Sequence, residues 1–310
     1  MTECISRRRA LQVMGAGIAA LTLSPLRTFG TANEPVVKAI PASGESIPVI
    51  GMGTWRTFNV GRDEAMRDAR TEVLKVFFEK GGGMIDSSPM YGSAQEVLGY
   101  GFEKLGIPDA LFSADKVWTR DGAKTRDQVA ESEELWGIEQ FDLMQVHNLV
   151  AWEPHLESLW RMKEEGRVRY VGISTSHGRR HDDFERIMKA GGIDFIQVTY
   201  NLTHRDVERR ILPLATDEGI AVIANRPFDG GSLVRRLKDG DYPLPDWAEE
   251  FDCDNWAEFL LKFIVSHPDV TCAIPATTRV SHMRENMGAG RGRMPDAETR
   301  DRMIEYVENL

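Results

Sequence analysis

One segment, Met84-Ile-Asp86-Ser-Ser-Pro-Met-Tyr91-Gly-Ser-Ala-Gln-Glu96, contains the pattern on which the whole chain is built. A short β-rich run ends at Asp86, a polar connection carries Tyr91, and an amphipathic stretch begins at Ala94. A strand followed by a helix of this kind is the unit of a parallel β/α fold. On both sides of this segment, β-rich runs and helical stretches continue to alternate along the chain.

Eight β-rich runs alternate with helical stretches along the chain. In the stretch from Arg62 to Lys80, for example, Val73, Leu74, Phe77 and Phe78 share one face at helical spacing. The predicted strands are Val49–Met52, Met84–Asp86, Leu111–Val117, Asp142–His147, Val168–Ile173, Phe195–Thr199, Ile220–Ala224 and Val270–Ile274. Eight such units favour a closed (β/α)8 TIM barrel over an open sheet.

Two other segments complete the predicted fold. Val36–Ile40 and Ser46–Val49 flank a turn-forming stretch, and this predicts an N-terminal β-hairpin that closes the bottom of the barrel. The longest stretch without a clear pattern runs from Arg226 to Asp254. Because barrel sites lie at strand ends and long loops are usually functional, we expect an irregular flap there over the cofactor or substrate.

The composition limits the class of partner. The chain has 310 residues, 42% of them hydrophobic, which is enough for one large core. Its formal net charge of −10 disfavours nucleic acid and anionic membrane surfaces, which bind basic faces. Three cysteines provide no disulfide framework.

The N-terminus differs from the acidic remainder. Ser6-Arg7-Arg8-Arg9-Ala10-Leu11-Gln12 precedes an apolar run from Val13 to Leu23, and this order resembles a twin-arginine export signal. Small residues around Thr31 indicate cleavage after Ala32. We therefore predict a signal peptide at residues 1–32 and a barrel domain at 33–310, exported by the twin-arginine machinery to the periplasm. No stable membrane insertion is expected after cleavage. The alternatives are a basic disordered tail and an uncleaved apolar run that acts as an anchor, although the run is short for a spanning helix.

Four polar residues, Asp86, Tyr91, Lys116 and His147, lie at or just beyond the ends of three consecutive predicted strands. A tyrosine donates a proton poorly at neutral pH unless a nearby cation stabilises its phenolate, and a lysine paired with a carboxylate supplies that cation. A neutral histidine at the same edge can hydrogen-bond a substrate oxygen. The four residues indicate carbonyl reduction, with Tyr91 as general acid.

Four ordered motifs carry a family resemblance: Gly51-Met-Gly-Thr-Trp55, Asp86 to Glu96, Asp115-Lys116-Val-Trp118 and Gln145-Val-His147-Asn148. From about Val36 to Ala289 the chain resembles the aldo-keto reductase superfamily. The resemblance implies a (β/α)8 barrel that reduces an aldehyde or ketone with a nicotinamide cofactor. It also implies the catalytic roles of the four residues.

The resemblance further implies a set of cofactor contacts. Ser174 and Gln197 match residues that hold the nicotinamide carboxamide. After strand seven, the segment Asp229-Gly-Gly-Ser-Leu233 is expected to wrap the pyrophosphate with backbone amides. Glu285 and Asn286 fit adenine contacts. The predicted cofactor-binding residues are Gly53, Thr54, Asp86, Ser174, Gln197, Phe228, Gly230, Ser232, Thr277, Arg279, Glu285 and Asn286.

The sequence departs from the family pattern at four cofactor positions. Thr175 replaces a common asparagine, Asn225 occupies the position of an aromatic residue that stacks on the nicotinamide, Ala276 replaces a frequent lysine, and His282 replaces an arginine. Arg279 is a substitute clamp for the 2′-phosphate. NADP(H) is therefore the expected cofactor and NAD(H) the alternative.

Trp55, Trp118 and Asn148 are the predicted substrate-binding residues, with core packing as an equal reading for each tryptophan. No metal site is predicted, because His177 and His181 lack a third ligand. Two other functions stay open at this point. One is an accessory or sensor protein that binds the nicotinamide cofactor with little turnover, and the other is a barrel isomerase or lyase without nicotinamide.

Overall fold

The computed structural model describes residues 34–310. The predicted signal peptide and its boundary at Ala32 lie outside these residues. Residues 34–310 form ten strands: β1 Val37–Ala39, β2 Ser46–Pro48, β3 Met52–Gly53, β4 Met84–Asp86, β5 Phe112–Val117, β6 Phe141–Val146, β7 Val168–Ser174, β8 Phe195–Thr199, β9 Ala221–Asn225 and β10 Cys272–Ala273. Strands β3 to β10 pair in sequence order, and all of these pairs are parallel.

The first and last strands of this sheet close it into a barrel. Gly51 N–H donates to the carbonyl of Ala273 at 2.8 Å, and Ala273 N–H donates back to the carbonyl of Val49 at 2.9 Å. Antiparallel β1 and β2 form the hairpin. The predicted (β/α)8 barrel with an N-terminal hairpin is confirmed.

Ten α-helices accompany the strands within residues 34–310. They are α1 Glu64–Glu79, α2 Ala94–Leu105, α3 Thr125–Trp136, α4 Trp152–Glu164, α5 His181–Ala190, α6 Ile211–Asp217, α7 Ser232–Asp239, α8 Trp256–Val265, α9 Val280–Gly288 and α10 Ala297–Glu308. The prediction of an irregular stretch from Arg226 to Asp254 was wrong, because it contains α7 and a 3-10 helix, Asp246–Phe251.

The barrel interior changes from apolar to polar along each strand. Side chains alternate between the two faces of a strand, so every second residue points inward. On β5 these residues are Phe112, Ala114 and Lys116, and on β8 they are Phe195 and Gln197. Apolar side chains fill the end nearest the hairpin, and polar side chains occupy the carboxyl ends. The fold therefore concentrates its polar groups at one end of the barrel.

The hairpin seals the apolar end. Ile40 and Ile47 are 0% and 3% exposed and belong to the same buried cluster as Phe112 and Phe195. Lys38, at 2.6 Å from the carbonyls of both His267 and Val270, ties the hairpin to the segment before β10. The hairpin is thus the floor of the barrel.

Two further predictions from the sequence concern disulfide bonds and membrane-spanning helices. Cys253 and Cys272 are both free and buried, in agreement with the lack of a disulfide framework. None of the helices formed by residues 34–310 combines the length and apolar character that a membrane span requires.

Candidate active site

A cavity of about 340 Å³ opens at the polar end of the barrel. Asp86, Tyr91 and His147 line it, and Lys116 lies fully buried beside them. The four residues singled out from the sequence therefore come together, although they are spread over 62 positions from residue 86 to residue 147. They do so because parallel strands place their carboxyl ends at one edge.

An ion pair between Lys116 and Asp86 forms the base of the site. Lys116 Nζ lies 2.5 Å from Asp86 Oδ2 and 2.7 Å from the carbonyl of Ser87, and both charged side chains are almost completely buried. Burial works against the charge of Lys116, but the charge and the hydrogen bond of Asp86 act against this effect, and the pKa of Lys116 is raised above its ordinary value. The lysine is therefore a permanent cation.

Two glutamine amides hold the second oxygen of Asp86. Gln197 Nε2 lies 2.7 Å and Gln145 Nε2 3.2 Å from Asp86 Oδ1. Gln145 is fully buried and precedes His147 by two residues, so it points into the barrel from β6. With these donors and Lys116, the buried carboxylate has the partners that it needs.

A short 3-10 helix, Pro89–Tyr91, places Tyr91 over the cavity. Ser88 caps this turn by accepting from Met90 N–H at 3.2 Å. Gly92 ends it with φ of +63°, and a Cβ at this position would lie 2.3 Å from Asn59 Oδ1. Both the backbone angle and the close approach of Asn59 require glycine after the tyrosine.

The pKa of Tyr91 differs from the expectation. Lys116 Nζ lies 5.2 Å from the centre of the Tyr91 ring and favours the phenolate. Burial has the larger effect, however, and together with the field of Asp86 it raises the pKa of Tyr91 above its ordinary value. The phenol therefore keeps its proton at neutral pH, and Lys116 moderates this rise without reversing it.

His147 is a neutral ring at the cavity wall. Its Nδ1 lies 2.7 Å from Ser88 Oγ, and its ring packs edge-on against Tyr91 with 5.7 Å between ring centres. Burial, assisted by the charge of Lys116, lowers the pKa of His147 to about 2. The ring can orient a substrate oxygen by a hydrogen bond, but it does not carry a charge at physiological pH.

A neutral, buried His147 should make the protein less stable in acid. Below about pH 6.5 this histidine binds a proton when unfolded but not when folded, so stability falls as the pH falls towards 2. Relative to a His147→Asn variant, we expect the native chain to lose about 1.4 kcal/mol more per pH unit below pH 6. Urea unfolding between pH 4 and 8 measures this difference. Parallel curves for the two proteins would mean that His147 is protonated in the fold.

Seven of the predicted cofactor residues line the cavity: Gly53, Thr54, Asp86, Ser174, Gln197, Phe228 and Gly230. The other five, Ser232, Thr277, Arg279, Glu285 and Asn286, lie beyond it along the chain around α7 and α9. The roles of all twelve stay predictions.

Asn225 lies in the cavity wall at the end of β9, with Phe228 nearby. Its Oδ1 accepts from Thr199 Oγ1 at 2.7 Å, and its Nδ2 donates to the carbonyl of Thr175 at 2.8 Å. These two hydrogen bonds hold the Asn225 side chain against the neighbouring strands, so this part of the cavity wall is polar.

The beginning and end of α9 suit the adenosine half of a dinucleotide. Arg279 is exposed, immediately precedes the helix, and forms no ion pair within residues 34–310. Asn286 is 2% exposed, and its Nδ2 has no hydrogen-bond partner in the same part of the chain. A buried amide without a partner is costly unless a ligand accepts from it. These residues therefore fit the predicted cofactor.

Two of the predicted substrate residues, Trp55 and Asn148, line the cavity. Trp118 does not; it lies at the end of β5 with 42% of its surface exposed. Its substrate contact stays a prediction.

Several cavity residues were not predicted from the sequence. Three of them are arginines, Arg56, Arg179 and Arg226, and another is His177, whose pKa is lowered by burial. The Arg56 guanidinium lies 4.2 Å and that of Arg226 5.9 Å from the centre of the Trp55 ring. A sequence signal exists for Arg226, which directly follows β9. The mouth of the site is therefore basic although the protein is acidic.

No cluster of three or more metal-binding side chains occurs within residues 34–310. The parallel barrel, the buried lysine–carboxylate pair and the tyrosine above it place a cluster of polar, titratable groups at the carboxyl ends of the strands, where barrel enzymes have their active sites. The family model described as Aldo/keto reductase family matches residues 49–301, and the chain belongs to that family. The resemblance found in the motifs is confirmed.

Curated relatives and solved structures agree with this assignment. The chain is 25% identical to methylglyoxal reductase YeaE of Escherichia coli over 256 residues, which cover 80% of this chain and 88% of that protein. It is 22% identical to an NADH-specific methylglyoxal reductase of the same organism, with 84% and 96% covered. An aldo/keto reductase from Klebsiella pneumoniae, solved with NADP and acetate, has the same fold at a TM-score of 0.71, with 23% identity and coverage of 85% and 93%.

Proposed function

We propose that this protein reduces an aldehyde or ketone to an alcohol with NADPH, and that Tyr91 is the general acid. The observation that carries the proposal is the position of Lys116, 2.5 Å from Asp86 and 5.2 Å from the Tyr91 ring, at the base of an open cavity. The relatives with reductase names support the same activity.

The chain's own residues account for the proton transfer. A bound nicotinamide cofactor would supply the hydride for the carbonyl carbon. Tyr91 gives its hydroxyl proton to the carbonyl oxygen, and Lys116 stabilises the phenolate that remains. Asp86 holds Lys116 in place, and His147 hydrogen-bonds the same oxygen and sets the angle of the carbonyl group.

The cofactor-binding surface runs from the barrel mouth towards α9. Ser174 and Gln197 would hold the carboxamide, and Asn225 would face the nicotinamide in place of an aromatic ring. The backbone at Gly230 and Ser232 would bind the pyrophosphate together with the Arg226 side chain. The Arg226 guanidinium also pairs with Asp229 at 2.8 Å. Positive charge and backbone amides are the groups that bind phosphate, and of these two amides that of Ser232 already donates to the carbonyl of Asp229.

Consumption of NADPH with a panel of small aldehydes and ketones tests the proposal directly. Methylglyoxal belongs in the panel because a relative is named for its reduction, and a cavity of about 340 Å³ suits small carbonyl compounds. Tight NADPH binding without reduction of any carbonyl would instead support an accessory or sensor role. Absence of nicotinamide binding would bring forward an isomerase or lyase.

Arg279 is the proposed contact of the cofactor's 2′-phosphate. We expect Arg279→Ala to raise the Kd for NADPH by about 10- to 100-fold, because one or two charge-assisted hydrogen bonds are lost. The Kd for NADH should change little. Fluorescence titration of both cofactors measures this, with Arg302→Ala, an exposed arginine on α10, as the control. An equal loss for both cofactors would contradict the assignment.

We also propose that residues 1–32 direct twin-arginine export to the periplasm, as Arg7, Arg8 and Arg9 before an apolar run suggest. Fractionation of a bacterial host expressing the full chain tests this. Replacement of the three arginines by lysine keeps the charge and should retain the protein in the cytoplasm. Equal export of both chains would refute the proposal.

A further inference from the structure

Ser88 connects the two residues that face the substrate oxygen. It is fully buried between β4 and the turn that carries Tyr91. Its Oγ has two hydrogen-bond partners within residues 34–310, Met90 N and His147 Nδ1. One hydroxyl therefore contacts both the Tyr91 turn and the His147 ring.

The chemistry of these two contacts determines their directions. A backbone N–H is always a donor, so Ser88 Oγ accepts from Met90. The single hydroxyl hydrogen of Ser88 is left, and His147 Nδ1 is the one acceptor within its reach in the described chain. If Nδ1 carried the ring proton, this hydroxyl hydrogen would be buried without a partner, which is unfavourable.

The ring is neutral, so a proton absent from Nδ1 must lie on Nε2. His147 Nε2 has no hydrogen-bond partner among residues 34–310, and it is not one of the side-chain atoms buried without a partner. It therefore faces the open cavity that His147 lines.

We propose that Ser88 is a positioning residue of this enzyme: its hydroxyl donates to His147 Nδ1 and keeps the ring proton on Nε2, facing the substrate oxygen. The carbonyl oxygen then meets two donors, Tyr91 O–H and His147 Nε2–H. The role in reduction rests on the proposed function, whereas the tautomer does not. Because the same hydroxyl caps the Tyr91 turn, it also fixes the spacing between the two donors.

Nitrogen NMR of the histidine rings tests the tautomer without any turnover. In the full barrel domain labelled at the histidine nitrogens, His147 is assigned by its loss in His147→Asn. We expect the proton on Nε2 in the native protein and in Ser87→Ala, which removes a neighbouring buried hydroxyl that bonds Thr54 instead. In Ser88→Ala we expect the proton to move wholly or partly to Nδ1. A native His147 with its proton on Nδ1 would overturn the proposal, even if Ser88→Ala did not fold.

Kinetics separate positioning from simple destabilisation. Ser88→Ala should lower kcat for carbonyl reduction by about 10- to 100-fold, as loss of an outer partner of a functional histidine commonly does, while the Kd for NADPH stays unchanged. Ser88→Thr keeps the hydroxyl and should recover most of the rate. A native rate in Ser88→Ala, in an enzyme that reduces carbonyls, would disprove the positioning role while leaving the reductase assignment intact.

Discussion

Replacement of Tyr91 by phenylalanine is expected to lower kcat for carbonyl reduction by about 10²- to 10⁴-fold, the usual contribution of a positioned general acid. The substitution removes one hydroxyl and keeps the ring that packs against His147. Binding of NADPH should therefore be nearly unchanged. Steady-state turnover together with fluorescence titration of the cofactor measures both quantities.

Tyr100 provides the matched control for this variant. Its hydroxyl donates to Asp68 at 2.8 Å on the outside of the barrel, so Tyr100→Phe removes the same group far from the cavity. Turnover in Tyr100→Phe should equal that of the native enzyme. If Tyr91→Phe also kept full turnover, the proton would come from another group and the mechanism would need a different acid.

Replacement of Lys116 should lower both the stability of the protein and the rate of carbonyl reduction. In Lys116→Met, Asp86 remains buried without its cationic partner, and breaking a buried ion pair in this way typically costs about 3–5 kcal/mol. We expect the free energy of unfolding to fall by about this amount. Carbonyl reduction should fall as well, because no cation would stabilise the Tyr91 phenolate.

A double variant separates the two effects of Lys116. Asp86→Asn with Lys116→Met removes both charges of this ion pair, so much of the stability should return. The rate should stay low, because the cation is still missing. Urea unfolding and turnover of the single and double variants measure the two outcomes. Recovery of the rate in the double variant would show that Lys116 serves only the fold.

The fold was largely predictable because its strands are short, apolar and regularly spaced. Helices α7 and α10 were not predicted from the sequence, and each contributes few fully buried side chains. In α7, Leu233 and Leu237 are the buried residues, and in α10 they are Met303 and Val307. Two buried residues on an otherwise charged helix give little signal in a sequence, and such helices are stabilised by packing against the barrel.

The candidate site also contains residues that could be predicted from the sequence and residues that could not. The four residues proposed to be catalytic were recognisable because each lies at or near a strand end inside a distinctive motif. Ser88 was not, because its importance depends on a contact with His147, 59 positions away, and on the direction in which one hydroxyl points. The positions of the basic groups at the mouth of the cavity also depend on the conformations of the loops that carry them. Arg56, for example, reaches the Trp55 ring from a backbone with φ of +62°.

The hairpin floor has a consequence for how the enzyme completes a cycle. Within residues 34–310, the lower barrel is filled by apolar side chains and sealed by Ile40 and Ile47, so no chain of polar groups leads through it. In the proposed mechanism, a proton that replaces the one given up by Tyr91 must therefore enter through the mouth by which the substrate arrives. Reloading of the acid is therefore coupled to departure of the alcohol, and a slowly leaving product would delay both.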